Sequence, residues 1–388
     1  MTSEITRIET VEFGYPLEDV AKRGRKLVYM PGSTIERLTY ATQIETDVGV
    51  TGTYVGGTSP GFEQLELIGD LVVGRSPHER ERIWTEVKRT LRKYDRVGIG
   101  PVDAALWDLA GKLHDAPVHE LLGTYRKRFP AYVSTYFATD GGGFESPADY
   151  ADYAEQCLEA GYPAFKLHTW TGPGRPDIDR EVAAIKAVGE RVADEMQLMH
   201  DPVSEYETLA DAIRVGRACD EYDYLWYEDP YSDAGSSQHG HRTLRQRIDT
   251  PLLQTELVRG LEAHADFLAG EATDFLRADI ALDGGITGAM KIARTAESFG
   301  TDVEFHLPGP AERHCLAAIR NSNYYELGLL HPETDRPHLE APVYTDGYTD
   351  AVGSAEDGAV TVPDGPGLGV TYDWSYIENN ATRRVVIE

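Results

Sequence analysis

Short apolar runs alternate with longer amphipathic stretches from residue 128 onward. The stretch after each run has apolar residues three and four positions apart, the spacing of a helix with one buried face. The runs cover residues 131–135, 164–168, 197–201, 225–229, 252–256, 275–279, 303–307 and 324–327. Consecutive strand and helix units at this spacing predict an α/β fold with a parallel barrel.

Doubly wound sheets that bind nucleotides show the same alternation. Those sheets carry a glycine-rich phosphate-binding turn after a strand. Residues 283–288 (DGGITG) come closest to such a turn, but they lack the G-x-G-x-x-G spacing and the acidic residue downstream. We therefore interpret them as a strand-to-helix turn and favour the barrel.

Residues 1–125 have a mixed pattern. Alternation predicts strands over 5–13 and 38–46, followed by a glycine-rich turn within 48–53. Helical spacing predicts one helix that opens at 78–84 and another over 101–113, which begins with a proline.

Titratable side chains stand at the end of nearly every apolar run in the barrel segment. They are Lys166, His168, Asp201, Glu228, Glu256, Asp279, His306 and Glu326. A single Asp at such a point is an ordinary cap for the next helix, but Lys and His do not cap helix N-termini and Glu is a weak choice. Because the carboxyl ends of barrel strands open on one face, where barrel active sites lie, we expect these side chains to form one site.

Three of these residues are carboxylates from successive runs. Asp201, Glu228 and Glu256 lie 27 and 28 residues apart, as expected for side chains on neighbouring strand ends. A set of oxygen ligands without Cys or His favours a hard cation, and Mg²⁺ fits three carboxylates plus substrate and water best. The sequence therefore predicts a Mg²⁺ cofactor held by this trio.

Candidate bases flank the carboxylate trio. Lys166 and His168 are two residues apart on one strand, so they point to the same face. His306 lies across the barrel mouth, and Asp279 on the preceding strand can hydrogen-bond it. Two bases on either side of a metal suit removal of a proton next to a metal-bound carboxylate, with the metal and an ammonium stabilising the enediolate.

Sequence motifs point to a known family. They cover residues 102–112 (VDAALWDLAGK), 165–168 (FKLH), 199–201 (MHD), 226–230 (WYEDP), 255–256 (TE), 277–279 (RAD), 284–287 (GGIT), 305–306 (FH) and 325–326 (YE). In this order and at this spacing, the chain resembles the enolase superfamily, in its mandelate racemase and muconate lactonizing enzyme branch.

The resemblance implies an architecture and residue roles. It implies a modified TIM barrel, (β/α)₇β, over residues 126–342, an α+β capping domain over 1–125, and a segment 343–388 that completes the cap. It implies that Lys166 neutralises the substrate carboxylate, that His306 and Asp279 form the dyad of the mandelate racemase subgroup, and that Glu326 hydrogen-bonds the carboxylate of the intermediate. It also implies a homo-oligomer.

Two features leave alternatives open. The family often has K-x-K where this chain has Lys166 and His168. A neutral imidazole can act as a base without the lowered pKa that a lysine needs, but His168 can equally only orient the substrate while His306 acts alone. The basic run at 22–26 lies where the family keeps a loop over the site, and it either contacts substrate or is a solvated surface.

The resemblance implies Mg²⁺-dependent dehydration of a sugar acid, an aldonate or aldarate, to a 2-keto-3-deoxy acid through α-proton abstraction and an enediolate. The alternative is a racemase or epimerase that transfers one proton at the α-carbon and needs the same residues. A third alternative, a sugar-acid binding protein without catalysis, has no use for two bases, a metal trio and a dyad.

Charge and composition exclude other classes of partner. The 388 residues include 65 Asp and Glu against 37 Lys and Arg, a net charge of −28, so we expect neither nucleic acid nor a membrane as partner. The chain has no apolar run of membrane-spanning length and its first residues lack signal-peptide features. Its 3 widely spaced cysteines suit buried thiols in a reducing cytoplasm. The acids are dispersed throughout, as in cytoplasmic proteins of salt-loving microbes.

Overall fold

The computed structural model describes residues 3–23, 26–137, 143–169, 176–231, 235–334 and 340–388. The strands in these ranges are β1 (Ile5–Arg23), β2 (Lys26–Thr46), β3 (Thr51–Val55), β4 (Arg128–Thr135), β5 (Ala164–Leu167), β6 (Gln197–His200), β7 (Trp226–Glu228), β8 (Leu252–Gln254), β9 (Phe275–Ala278), β10 (Asp302–Phe305), β11 (Tyr325–Leu330), β12 (Ala359–Thr361) and β13 (Ala381–Ile387).

The helices alternate with the strands through the middle of the chain. They are α1 (Ser59–Phe62), α2 (Leu65–Val72), α3 (Arg80–Thr90), α4 (Ile99–His114), α5 (Val118–Leu122), α6 (Pro147–Glu159), α7 (Ile178–Val192), α8 (Leu209–Asp220), α9 (Gln238–Arg245), α10 (Leu261–Ala269), α11 (Gly285–Phe299), α12 (Pro310–Ala317) and α13 (Trp374–Asn379).

Strands β4 to β11 form a curled parallel sheet. Strands β4 to β10 pair as neighbours in chain order, and β11 pairs in parallel with β4. One helix, from α6 to α12, lies between each strand and the next. The predicted (β/α)₇β arrangement is confirmed, because the eight apolar runs coincide with these eight strands.

A layer of buried side chains fills the barrel just below the strand ends. Most of its members lie two residues before a predicted site residue, so they point into the barrel from the same face of each strand. We call this set the inner layer: Tyr132, Ala164, Met199, Trp226, Gln254, Arg277 and Glu304. It separates the predicted site from the opposite end of the barrel.

The cap is an antiparallel sheet with α4 packed against it. The sheet has the order β13-β1-β2-β3. Gly52 on β3 lets α4 approach closely, because a side-chain carbon there would lie 2.3 Å from the carbonyl oxygen of Ala105. Buried Asp108 on α4 accepts the backbone N–H of Thr53 at 2.7 Å and that of Leu368 at 2.8 Å, which ties the cap to the C-terminal segment.

The cap and the barrel are joined through α11. The indole N–H of Trp84 donates to the carbonyl oxygen of Gly284 at 2.8 Å, and that of Trp107 donates to the Thr287 hydroxyl at 2.9 Å. Both tryptophans come from cap helices, and both partners lie at the start of α11. The glycine-rich turn at 283–288 therefore serves as a strand-to-helix turn and as a contact with the cap.

The first hairpin is much longer than the sequence indicated. Its ladder continues through the polar segments beyond residues 13 and 38 to a tip where Arg23 pairs with Lys26. A bulge at Asp19 (φ 56°) is held by its carboxylate, which accepts the backbone N–H of Gly32 at 2.7 Å. Lys22 and Arg23 of the basic run end β1, whereas residues 24–25 lie outside the described residues.

The buried face of this hairpin lies on the barrel mouth. Val28 forms a bridge with Phe137, which follows β4. The ring of Tyr29 stacks on that of His331, which follows β11, with centroids 3.8 Å apart. The hairpin therefore covers the open end of the barrel beside its first and last strands.

The C-terminal segment contacts both layers. Strand β12 pairs antiparallel with β4 of the barrel, and β13 pairs with β1 of the cap. The boundary at residue 343 stays a prediction. The three cysteines are buried and free, as expected. Among the described residues, none of the helices has the length and apolar character needed to cross a membrane.

Candidate active site

All eight predicted site residues are described. Seven lie at or next to the carboxyl ends of the six consecutive strands β5 to β10, and Glu326 is the second residue of β11. Short hydrogen bonds and ion pairs link them into one buried group. Their positions follow from the parallel ladder, since parallel strands bring their carboxyl ends to the same rim. The residues are Lys166, His168, Asp201, Glu228, Glu256, Asp279, His306 and Glu326.

The predicted metal ligands converge. One carboxylate oxygen each from Asp201, Glu228 and Glu256 lie within 4.8 Å of one another. Asp201 and Glu228 are buried, and the side chain of Glu256 is 17% exposed, so the group opens to one side. Three oxygen ligands from rigid strand ends fit a hard divalent cation such as Mg²⁺, which keeps positions for water and substrate.

Lys166 is the buried cation of this group. Its Nζ lies 3.2 Å from Asp201 Oδ2, 3.0 Å from Glu228 Oε2 and 3.1 Å from Glu326 Oε1. Burial opposes its charge, but Glu228 and Glu326 outweigh burial and raise the pKa of Lys166 well above its usual value. Lys166 therefore places a buried positive charge among three carboxylates.

His168 has a defined tautomer. Its Nδ1 lies 2.7 Å from the carbonyl oxygen of Thr135, and a carbonyl can only accept, so Nδ1 carries the proton and donates. The second ring nitrogen, Nε2, lies 3.0 Å from Asp201 Oδ2, a hydrogen-bond distance at which the two atoms share one proton. Phe137 packs against the ring with centroids 4.8 Å apart, and His168 is 5% exposed. Nε2 therefore faces the carboxylate cluster.

His306 stands on the other side of the cluster with a carboxylate behind it. Its Nδ1 donates to Asp279 Oδ2 at 2.7 Å, and its Nε2 lies 3.6 Å from Glu256 Oε1. Burial alone lowers the pKa of His306, but Glu256 and Asp279 outweigh burial and raise it to about 9. Asp279 is held in turn by the backbone N–H of Leu282, which donates to Oδ1 at 2.8 Å.

Glu326 joins the lysine to the loop after β10. Its Oε2 accepts the backbone N–H of Leu307 at 2.9 Å, while Oε1 faces Lys166. Burial alone raises the pKa of Glu326, but Lys166 and Arg277 hold it well below its usual range. Leu307 itself has a left-handed backbone (φ 64°), as does Thr255 (φ 95°), so strained residues adjoin His306 and Glu256.

Comparison with known proteins identifies the family of this fold and site. A family model described as "Enolase C-terminal domain-like" matches residues 149–376. A second, the mandelate racemase / muconate lactonizing enzyme N-terminal domain, matches residues 20–123. The chain belongs to the enolase superfamily, in its mandelate racemase and muconate lactonizing enzyme branch.

Named relatives of this superfamily member include sugar-acid enzymes. L-Talarate/galactarate dehydratase of Salmonella typhimurium is 28% identical over 263 residues, which cover 66% of this chain and 63% of that enzyme, less than two thirds of its length. D-Galactarolactone cycloisomerase of Agrobacterium fabrum is 26% identical over 349 residues, which cover 84% of this chain and 87% of the relative.

A solved structure is also similar. The crystal structure of D-glucarate dehydratase from Agrobacterium tumefaciens, complexed with magnesium, matches with a TM-score of 0.85 and 29% identity. The match covers 98% of this chain and 99% of that one. The fold expected of the enolase superfamily is therefore present over nearly the whole chain.

Sequence reasoning missed two residues that hold the superfamily site in place. Thr135 positions His168 through its carbonyl oxygen, and its hydroxyl accepts the backbone N–H of His168 at 2.9 Å. Arg277 binds Glu228 from below. Arg277 stands two residues before Asp279 on one strand, so alternation alone would have directed it into the barrel. No comparable signal in the sequence marks Thr135.

Proposed function

We propose that this chain is a Mg²⁺-dependent lyase that dehydrates a sugar acid, an aldonate or aldarate, to a 2-keto-3-deoxy acid. The observation that carries the proposal is the pair of imidazoles on opposite sides of one carboxylate cluster, one anchored by a carbonyl and the other by Asp279. Relatives named as talarate/galactarate and glucarate dehydratases support the reaction class.

The cofactor of this proposal is Mg²⁺, held by Asp201, Glu228 and Glu256. The converging oxygens of the trio and the relative complexed with magnesium both support it. When bound, Mg²⁺ supplies Lewis-acid stabilisation of the negative charge that develops on the substrate carboxylate. The ammonium of Lys166 lies beside the same position and adds a fixed positive charge in a dry environment, where such a charge acts strongly.

The two imidazoles divide the proton transfers. Nε2 of His168 accepts the α-proton once bound substrate separates it from Asp201 Oδ2, because Nε2 faces the cluster and Nδ1 is committed to Thr135. His306 donates a proton to the leaving 3-hydroxyl, because Asp279 stabilises its cationic form. The C–O bond breaks as that proton arrives, and water leaves. The resulting enol becomes the 2-keto acid by taking up a proton at C3 and releasing the proton of its C2 hydroxyl.

A racemase or epimerase is the second candidate. It uses the same two imidazoles on opposite faces of one α-carbon, with His306 returning a proton to the carbon instead of to a hydroxyl. The opposed placement of His168 and His306 suits this reaction as well. The presence of a cycloisomerase among the relatives adds a third possible product class to be tested.

A substrate screen tests the proposal. Purified protein with Mg²⁺ is incubated in high salt with a set of aldonates and aldarates, and 2-keto acids are detected with semicarbazide and by NMR. A keto product that His306→Asn abolishes supports the dehydratase. An epimer without keto product transfers the assignment to an isomerase, and the absence of any product contradicts the proposal.

We also propose that the protein works as a homo-oligomer in a salt-rich cytoplasm. The dispersed net charge of −28 supports the high-salt environment, since salt screens repulsion between surface charges. Light scattering and thermal unfolding across a KCl series test both statements. Unfolding temperatures that do not rise with KCl concentration contradict the proposed salt-rich environment.

A further inference from the structure

A buried cation lies directly beneath the carboxylate cluster. Arg277, in the inner layer, is fully buried. Its Nε donates to Glu228 Oε1 at 2.7 Å and its Nη2 donates to Oε2 at 2.7 Å. Its other contacts are longer, to the Tyr132 hydroxyl and to the carbonyl oxygen of Phe305, both at 3.3 Å. Glu228 is therefore the principal partner of this arginine.

We propose that Arg277 is a positioning residue for the cation site: its forked contact fixes the carboxylate plane of Glu228 and so keeps this ligand ready to bind Mg²⁺. A guanidinium that contacts both oxygens of a carboxylate sets direction as well as distance. Each carboxylate oxygen has two lone pairs, so the fork from below leaves one on each oxygen, and Lys166 contacts Oε2 from the side of the cluster. Residues that orient a metal ligand in this way commonly determine metal affinity.

The charges of the site support this assignment. The described carboxylates and fixed cations that contact one another here leave two net negative charges, the amount that one divalent cation cancels. They are Asp201, Glu228, Glu256 and Glu326, against Lys166 and Arg277. Without the arginine, the buried cluster has a third uncompensated charge, and Glu228 loses its closest partner.

Arg277 differs from the other members of the inner layer in its charge and in its contacts. Of its seven members, only this one is a cation, and only this one reaches up to a predicted metal ligand. Glu304, the one carboxyl among these seven residues, instead accepts hydrogen bonds from the Ser322 hydroxyl and the Asn323 side-chain amide. A large cation in a barrel core requires compensation, and here Glu228 provides it.

A positive charge near the site also has the opposite effect, because it repels the incoming cation. The two effects predict opposite signs when the arginine is removed. Loss of positioning weakens Mg²⁺ binding, whereas loss of repulsion strengthens it. We expect positioning to dominate, because without the fork the carboxylate of Glu228 keeps a single contact, Lys166 Nζ at 3.0 Å from Oε2, which does not fix its plane.

Direct measurement of Mg²⁺ binding to the full chain tests the proposal. Arg277→Gln and Arg277→Lys are compared with Tyr132→Phe, a control that removes another contact of Arg277 from the same layer without touching Glu228. Calorimetry without substrate gives the dissociation constant, and electron paramagnetic resonance of bound Mn²⁺ reports the ligand geometry. We expect binding to weaken about 10- to 100-fold in the Gln variant and less in the Lys variant, with the control within about twofold of wild type.

Wild-type or tighter Mg²⁺ affinity in a folded Arg277→Gln protein overturns the proposal. If circular dichroism shows that the Gln variant does not fold, the Lys variant decides. It keeps the charge but loses the fork, so wild-type affinity and an unchanged Mn²⁺ spectrum then overturn the assignment. The inference rests on the metal site of the proposed function and needs no substrate. Failure of the wild type to bind Mg²⁺ would instead contradict that function.

Discussion

One histidine lies on each side of the carboxylate cluster, and different groups hold the two imidazole rings in place. On one side, His168 is 5% exposed, covered by Phe137 and bonded to a neutral carbonyl oxygen. On the other, His306 has an 18% exposed side chain and donates to a carboxylate. Both rings face a carboxylate of the trio, Asp201 or Glu256, so they differ in the acceptor behind them. A carboxylate behind the ring favours its cationic form, and a neutral carbonyl does so less.

The difference shows how one residue type performs two roles around a shared cluster. The anchor behind each ring sets which proton transfer the ring favours, and the carboxylate trio between them is common to both. Four changes separate these contributions, in order of expected effect. They are removal of the divalent cation that both histidines depend on, replacement of Asp279 behind His306, replacement of Glu326 beside Lys166, and removal of Phe137 from the His168 ring.

Removal of the divalent cation has the largest expected effect, because both histidines depend on it. Exhaustive treatment with a chelator lowers turnover by at least about 10³-fold, and added Mg²⁺ restores it. Residual metal is measured by mass spectrometry alongside the rate. Full turnover in protein that holds less than a few per cent metal is inconsistent with a metal-dependent reaction.

Replacement of the dyad acid, Asp279→Asn, lowers kcat about 10²- to 10³-fold. The carboxylate raises the pKa of His306, so its loss lowers that pKa. The reaction needs cationic His306, and activity falls as pH rises through this pKa. The alkaline limb of the pH–rate profile therefore moves to lower pH in the variant.

The control for this change is Asp283→Asn, a buried carboxyl that accepts the backbone N–H of Asp279 but does not contact His306. It leaves the alkaline limb near its wild-type position. An unshifted alkaline limb in Asp279→Asn shows that Asp279 does not determine the pKa of the acid that donates the proton.

Replacement of the glutamate on the last barrel strand, Glu326→Gln, has a smaller effect, about 10- to 100-fold on kcat/KM, because Lys166 keeps two other carboxylates. Glu304→Gln is the matched control, since it alters an inward carboxyl on the adjacent strand that does not contact the lysine. Equal effects of the two substitutions indicate general disturbance of the barrel rather than a role for Glu326.

Removal of the cover over the His168 ring, Phe137→Ala, has the smallest expected effect, about 3- to 10-fold on kcat. Water then reaches the His168 ring and its fixed orientation loosens. Phe137→Leu retains an apolar cover and keeps most of the activity. A loss in the Leu variant as large as that in the Ala variant contradicts the covering role.

The sequence predicted the parts of the molecule that depend on local periodicity. The eight barrel strands follow from apolar runs, and site residues such as Asp201 and Glu256 follow from the polar residue that ends each run. Parallel strands share one direction, so the end of a run is enough to place a side chain on the common rim. The pairing order of these strands then follows their order in the chain.

Other parts depend on contacts between distant segments. The hairpin beyond residues 13 and 38 has a less regular alternation, and its apolar face is buried by contact with the barrel mouth, which is distant in the sequence. The pairing of Arg277 with Glu228 spans the barrel and skips a strand, so no spacing in the sequence indicates it. The anchor of His168 is a backbone carbonyl, which every residue has.

The division of labour between His168 and His306 is tested most directly by proton exchange in D₂O. Once a substrate is known, His168→Asn and His306→Asn are incubated with it, and deuterium at the α-carbon and keto acid are followed by NMR. We predict that His306→Asn incorporates deuterium at the α-carbon while its rate of dehydration falls about 10³-fold. We predict that His168→Asn neither incorporates deuterium nor forms keto acid. Deuterium uptake by His168→Asn without uptake by His306→Asn would contradict the account, because it assigns the base to the opposite histidine.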